Sequence, residues 1–242
     1  MLKKWFLLLL ACLTIFTLSA CNKEEPTPPS NDDPTPSKPV TPPAQNAEVL
    51  AHSGTLQNGA ITWEIYTTDG TDGVLYLKGS GALEDFESAK DQPWWTYGDD
   101  TMYGERNMME ENIALVTEIV VGEGITALGG NAFAEQLSVT KVTLPSTLTA
   151  LSDSCFKNCP KLRTVSGGMG LVTIAESAFK YCTVLESIEL SSALREVGWC
   201  AFDQLQKPLT VRFDGTEVQW SAITVDSGND ALKNATVVYP AE

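Results

Sequence analysis

Residues 139–159 read Val-Thr-Lys-Val-Thr-Leu-Pro-Ser-Thr-Leu-Thr-Ala-Leu-Ser-Asp-Ser-Cys-Phe-Lys-Asn-Cys. Phe156 sits near the end of this stretch, and Phe133, Phe179 and Phe202 lie at steps of 23 residues on either side. The match extends beyond phenylalanine. Ile119, Val142, Val165, Ile188 and Val211 share the period, as do Val121, Leu144, Leu190 and Phe213, with Gly167 breaking that series. Ile125, Leu148, Leu171 and Leu194 form another column, and Leu128, Leu151, Ile174 and Val197 a further one. Ala132, Cys155, Ala178 and Ala201 precede the phenylalanines. A fixed period of 20 to 50 residues with matched apolar columns is the signature of a solenoid. One such unit cannot bury its own apolar face, so units must stack and each column becomes a ladder through the core.

Val142-Thr143-Leu144-Pro145 alternates apolar and polar residues and predicts one short parallel strand per unit. The Ala-Phe segment, as in Ser177-Ala178-Phe179-Lys180, predicts a single helical turn that packs its ring inward. The expected fold is therefore an α/β repeat solenoid, with four full units from Val116 to Lys207 and a fifth strand near Leu209–Phe213. Upstream, Ile61-Thr62-Trp63-Glu64-Ile65-Tyr66 and Val74-Leu75-Tyr76-Leu77 alternate about a Gly-Asp turn, which predicts a β-hairpin. Asp69 and Asp72 beside glycines are explained by that turn, since no flanking carboxylate completes a calcium set.

These residues resemble the BspA-like leucine-rich repeats, the type 5 or Treponema-type group. That family's unit runs approximately L-x-x-V-x-L-P-x-x-L-x-x-I-x-x-x-A-F-x-x-C, and Val139 to Cys159 is similar to it throughout. The resemblance covers about Gly54 to Tyr239. It implies an N-terminal cap around Gly79-Ser80-Gly81-Ala82-Leu83 and Pro93-Trp94-Trp95. It also implies a C-terminal cap around Glu217-Val218-Gln219-Trp220 and Gly228-Asn229-Asp230-Ala231-Leu232. Gly167 to Gly170 departs from the strand end and proline, and Gln136 and Leu205 stand in place of the turn cysteine. Cys159 and Cys182 share one column, so stacking brings their backbones within ~5 Å, a distance that allows a disulfide. Equivalent side chains point in parallel, however, and the family uses this cysteine as a small buried filler, which favours free thiols.

The N-terminus reads as an export signal over residues 1–20. Lys3 and Lys4 are basic, Trp5 to Thr17 is apolar, and Leu18-Ser19-Ala20-Cys21 resembles a bacterial lipobox. Lipidation of Cys21 would supply the several acyl chains that stable membrane attachment needs. Asn22-Lys23-Glu24-Glu25 is similar to the tag that sends some lipoproteins to the surface of the outer membrane, and equally to a few solvated charges. Eight of the thirteen prolines lie before Asn46, so residues 21–46 read as a tether. At ~3.1 Å per residue in polyproline II it could reach ~75 Å. Residues 47–115 then form the N-terminal β cap, 116–215 the solenoid and 216–242 the C-terminal cap.

Composition excludes most chemistry. There are 31 acidic and 16 basic residues in 242, for a formal charge of −15. With Lys3 and Lys4 removed, 14 basic residues face 31 acidic ones, near −17, which argues against nucleic acid as a partner. His52 is the one histidine, so a multi-histidine metal site has no ligands and a Ser/His/Asp triad has one possible base. No catalytic residues, cofactor or metal are expected.

The candidate ligand face is the outside of the strands, where Glu118, Lys141, Thr143, Ser166, Glu189 and Arg212 alternate with the core columns. This set is polar, mixed in sign and free of aromatics. Five strands at ~4.8 Å make it about 250–300 Å² in area, well below the ~800 Å² per partner of a stable interface. Trp199 falls where Gly130, Asp153 and Glu176 stand in other units, so it points outward and either marks a contact or packs across the turn. Trp94 and Trp95, with Tyr97 and Tyr103, either close the end of the core or line a contact cleft. The expected protein is a monomeric surface lipoprotein, anchored to the outer membrane through Cys21, that binds an extracellular protein or glycan. An accessory scaffold of a cell-envelope assembly is the second reading and an enzyme the third.

Overall fold

The computed structural model describes residues 48–68, 72–95 and 115–241. The signal, Cys21, the tether, Asp69, Tyr97 and Tyr103 lie outside the described residues. Three strands come first, β1 (Val49–Leu56), β2 (Ile61–Thr67) and β3 (Asp72–Gly79), followed by β4 (Gly81–Ala82). The repeats contribute β5 (Leu115–Val121), β6 (Ile125–Leu128), β7 (Lys141–Leu144), β8 (Ala150–Leu151), β9 (Thr164–Gly167) and β10 (Thr173–Ile174). They continue with β11 (Ser187–Leu190), β12 (Glu196–Val197) and β13 (Thr210–Phe213). Helix α1 (Glu217–Ser221), β14 (Thr224–Val225), helix α2 (Asp230–Lys233) and β15 (Thr236–Val238) complete the order.

Two sheets face each other across the core. One has nine strands in the order β1-β2-β3-β5-β7-β9-β11-β13-β15, the other six in the order β14-β12-β10-β8-β6-β4. Within the repeats all pairing is parallel and advances by one unit. Lys141 sits beside Thr164, and Ser187 beside both Thr164 and Thr210. This is a β-solenoid of about five turns, and it differs from the sequence expectation in two respects.

Each unit holds two strands rather than one. The second is commonly two residues long, as in Thr173–Ile174, too short to show alternation.

The expected helical turn is absent. The Phe-bearing segments are instead tight turns interrupted by residues in the left-handed region: Asn131 and Glu135, Ser154 and Asn158, Ser177 and Tyr181, Cys200 and Gln204. Every second N–H closes a tight turn three residues back, as Lys157 does on Ser154 at 3.1 Å, and the alternate ones leave the segment for the next unit. Those of Phe133, Phe156 and Phe179 donate to the carbonyls of Cys155, Ala178 and Ala201 on the next turn, each at 2.8 Å. The turns thus form a third ladder along the solenoid, which satisfies buried amides without a helix.

The columns close the core as the periodicity requires. Phe133, Phe156, Phe179 and Phe202 are fully buried and stack with centroids 5.4, 5.4 and 5.2 Å apart. Trp94 extends the stack by one ring, 5.2 Å from Phe133, and its indole nitrogen donates to the Ala132 carbonyl at 3.1 Å. Each fully buried ring contributes about 2–3 kcal/mol from apolar burial alone. Gly167, where the column of residue 121 breaks, has φ 79°, and a Cβ there would lie 2.1 Å from the Leu144 carbonyl oxygen. Only glycine fits so close to the neighbouring strand.

The hairpin of β2 and β3 is antiparallel, with Trp63 opposite Leu77 and Ile65 opposite Leu75. It does more than precede the repeats. Strand β3 also pairs parallel with β5, Tyr76 lying beside Val120, so the hairpin continues the nine-stranded sheet.

Candidate functional site

Inward residues of the nine-stranded sheet are buried, so the alternate residues form its outer face. Two rows cross it. One runs Tyr66, Val74, Glu118, Lys141, Thr164 and onward, the other Glu64, Tyr76, Val120, Thr143, Ser166. The second row continues through Glu189, Arg212 and Val238. Both are set by strand pairing, which places successive members about 4.8 Å apart on a rigid support.

All six of the expected sheet-face residues lie on this surface, with different degrees of freedom. Lys141 and Glu118 form an ion pair at 2.7 Å. Thr143 and Ser166 approach to 3.5 Å, and Ser166 also donates to the Val142 carbonyl at 3.4 Å. Glu189 accepts the Gly167 N–H at 2.6 Å, so its carboxylate holds the irregular turn rather than standing free. Arg212 is exposed and makes no ion pair among the described residues. It borders an open depression of about 220 Å³ with Met169, Val238 and Tyr239.

The expectation of a face without aromatics does not hold. Because β2 and β3 extend the sheet, Tyr66 and Tyr76 join the outer face, their rings edge to face at 5.7 Å. Lys78 Nζ stands 5.7 and 5.6 Å from the two ring centres and pairs with Glu64 at 2.6 Å. The Tyr66 hydroxyl donates to the same carboxylate at 3.0 Å. These bonds, from Lys78 first and Tyr66 second, hold the Glu64 carboxyl below its usual range. The bond to Glu64 raises the Tyr66 hydroxyl in turn, and burial is the main cause of the rise at Tyr76. The sequence carried the signal, since Glu64, Tyr66, Tyr76 and Lys78 all occupy off-core positions of alternating strands. What it lacked was the pairing of β3 with β5. Nine strands lengthen the face to about 40 Å and its area to about 400–500 Å², still short of ~800 Å².

The three tryptophans separate. Trp94 and Trp95 are buried, at 0% and 7% exposure, so neither offers a contact surface and the cleft reading fails for both. Trp94 ends the aromatic stack, and Trp95 packs with Ala89 and Ala134. Trp199 stands out from a Phe-bearing turn with 48% of its surface exposed.

The four described cysteines are free and buried. Sγ of Cys159 donates to the Phe133 carbonyl at 3.2 Å, and that of Cys182 to the Phe156 carbonyl at 3.1 Å. The shared column thus serves as a run of thiol donors.

Parallel repeat strands in two sheets, closed by stacked turns at a 23-residue period, define a protein of the leucine-rich-repeat class. Residues 111–219 match the BspA type leucine rich repeat region in six copies, and this part of the chain belongs to that family. The structure is similar to that of a leucine-rich repeat protein from Eubacterium ventriosum. Identity is 22%, covering 81% of this chain and 45% of that one, with a TM-score of 0.58. That likeness establishes the fold, and the chain spans under half the length of that relative. A leucine rich cell surface protein from Faecalibacterium prausnitzii is 18% identical over 69% of this chain and 41% of its own, at a TM-score of 0.44. The Treponema pallidum leucine rich repeat protein is 15% identical over 71% of this chain and 70% of its own, at 0.39. No curated protein matches the chain.

Proposed function

We propose that this chain is a non-catalytic binding module displayed on the cell surface, which takes an extracellular protein on the outer face of its nine-stranded sheet. The single observation that carries this reading is the succession of outward residues on one sheet, from Tyr66 and Tyr76 through Lys141 and Thr143 to Arg212. None of those side chains fills the core, and the strands beneath them are pre-ordered, which lowers the entropy lost on binding. The hairpin with Trp94 at one end, and α1, α2 and β15 at the other, act as the caps that a solenoid needs for solubility. Export, lipidation of Cys21 and attachment to the outer membrane, with residues 21–46 as spacer, complete the proposal.

The area of the face sets the mode of binding. At about 400–500 Å² it supports weak monovalent contact, and copies arrayed on a membrane gain roughly 10²–10⁴ in avidity. Surface plasmon resonance against immobilised fibronectin, laminin and collagen tests this, with the protein flowed as monomer and on liposomes. The expected result is micromolar or weaker monovalent binding, strong binding by liposomes, and loss of both in Lys141→Ala/Thr143→Ala/Arg212→Ala. Glu189 is left in place because it holds Gly167. Nanomolar monovalent binding that survives the triple substitution would put the site elsewhere.

A further inference from the structure

Two columns of the repeat change character at one place. The position that holds Gly130, Asp153 and Glu176 becomes Trp199, and the one that holds Glu135 and Asn158 becomes Tyr181 before returning to Gln204. The repeats are their own control here. Neighbouring units occupy the same backbone sites with glycine, acidic residues or amides, so neither site requires an aromatic ring for folding.

The two rings are nevertheless close together and turned to solvent. Trp199 is 48% exposed and Tyr181 42%. Lys180 Nζ stands 5.5 Å from the centre of each ring, and Asp203 fixes it there at 3.2 Å. The backbone beneath is locked into the turn ladder. Ser177 N–H donates to the Trp199 carbonyl, and Tyr181 N–H to that of Asp203, both at 3.0 Å.

Tyr181 is also a costly choice. Its φ is 63°, in the left-handed region that asparagine enters with relative ease and a bulky side chain resists. Asn158 occupies the equivalent site of the preceding unit at φ 58°. The tyrosine forgoes that easier residue and leaves 42% of its surface in solvent rather than filling the core. Backbone strain of this kind collects where a surface is used.

We infer that Trp199, Tyr181 and Lys180 form a second binding site, on the turn ridge and distinct from the sheet face, for a neutral oligosaccharide. Aromatic rings offer flat apolar surface to the C–H faces of a sugar, while flanking polar groups meet its hydroxyls. The size of the patch separates the candidate ligands. Two rings of about 150–250 Å² each, roughly half exposed, offer about 200 Å², far below the ~800 Å² that a stable protein partner covers but enough for a short glycan. Charge decides the kind of glycan. Lys180, the cation between the two rings, is already paired with Asp203, and the chain carries 31 acidic residues against 16 basic, so a polyanionic polysaccharide is disfavoured.

Native electrophoresis of the full chain through gels containing soluble starch, xylan, mannan, galactan or mixed-linkage β-glucan tests the site, with polygalacturonate as the charged comparison. The expected result is retardation in at least one neutral gel. Trp199→Ala and Tyr181→Asn should each weaken it by about tenfold or more, as loss of an aromatic anchor does. The asparagine variant restores the residue of the preceding unit and therefore folds. The sheet-face variant Lys141→Ala/Thr143→Ala/Arg212→Ala should be retarded like the parent, which keeps this test independent of the protein-binding reading. Passage through every neutral gel without retardation overturns the proposal. So does retardation unchanged in both aromatic variants, or retardation by polygalacturonate alone.

Discussion

The side-chain oxygen of Asn229 accepts the backbone N–H of Phe202 at 2.9 Å, taking the place that a next-turn carbonyl fills for Phe133, Phe156 and Phe179. Its amide nitrogen donates to the carbonyls of Gly198 at 2.9 Å and Asp226 at 3.1 Å, and the residue is fully buried. An open-ended ladder leaves donors at one end and acceptors at the other, and a side chain completes it at each. Asn229 serves the last turn, and Trp94 serves the first through the Ala132 carbonyl.

Asn229→Ala leaves a buried N–H and two carbonyls without their partner, which costs about 2–3 kcal/mol. Asn229→Asp keeps the acceptor for Phe202 but loses both donations, and should also be destabilising. Urea denaturation of the two variants measures this; a loss under about 0.5 kcal/mol for the alanine would mean that water completes the ladder equally well.

Phe156 is stacked on both sides, with rings 5.4 Å away above and below. Its truncation to alanine opens a cavity between two rungs and should cost about 3–5 kcal/mol. Phe202 has one ring neighbour, Phe179 at 5.2 Å, and the same change should cost less there. Chemical denaturation that ranks Phe202→Ala above Phe156→Ala would contradict the stack as the source of this stability.

Burial drives the thiols of Cys155 and Cys182 well above the ordinary value of 9.0. A raised folded value means that folding holds the proton which the unfolded chain gives up. The resulting stability is complete below about pH 9 and is lost as pH climbs above it towards the raised value. The slope is at most about 1.4 kcal/mol per pH unit for each thiol. Unfolding midpoints between pH 7 and pH 10.5 should therefore fall only in the alkaline half, and less steeply in Cys155→Ala/Cys182→Ala. In the native protein at pH 8 both thiols should resist Ellman's reagent until denaturant is added.

Cys21→Ser should leave the chain unprocessed or free of the membrane fraction, because the lipid acceptor is gone. Detergent partitioning with N-terminal sequencing reads both outcomes. A variant that still enters the detergent phase with a cleaved N-terminus would exclude lipidation at this position.

Most of the core was legible in the sequence because stacked units share one environment. Ile119, Val142, Val165, Ile188 and Val211 meet the same neighbours one turn on, so selection for burial repeats at a countable interval. The Phe-bearing turns read as helical in the sequence and are not helical in the structure. An Ala-Phe pair followed by a cysteine three residues later fits one face of a helix and equally a pair of tight turns. The choice between them lies in amides that bond 22 residues ahead, as Phe156 does with Ala178. The candidate site was half visible for a related reason. Lys141, Thr143 and Arg212 lie within the period, whereas Tyr66 and Tyr76 precede it.

The 23-residue period, the inward columns and the outward rows of the repeats follow from the sequence alone, since alternation and spacing are local or strictly periodic properties. Tertiary structure alone decided what is neither. Pairing of β3 with β5 carried Tyr66 and Tyr76 onto the sheet, hydrogen bonds between turns replaced the helix, and the ends placed Trp94 and Asn229 inside. Those outcomes depend on which buried donors and acceptors remain once the strands have paired, and that account closes only when distant segments meet.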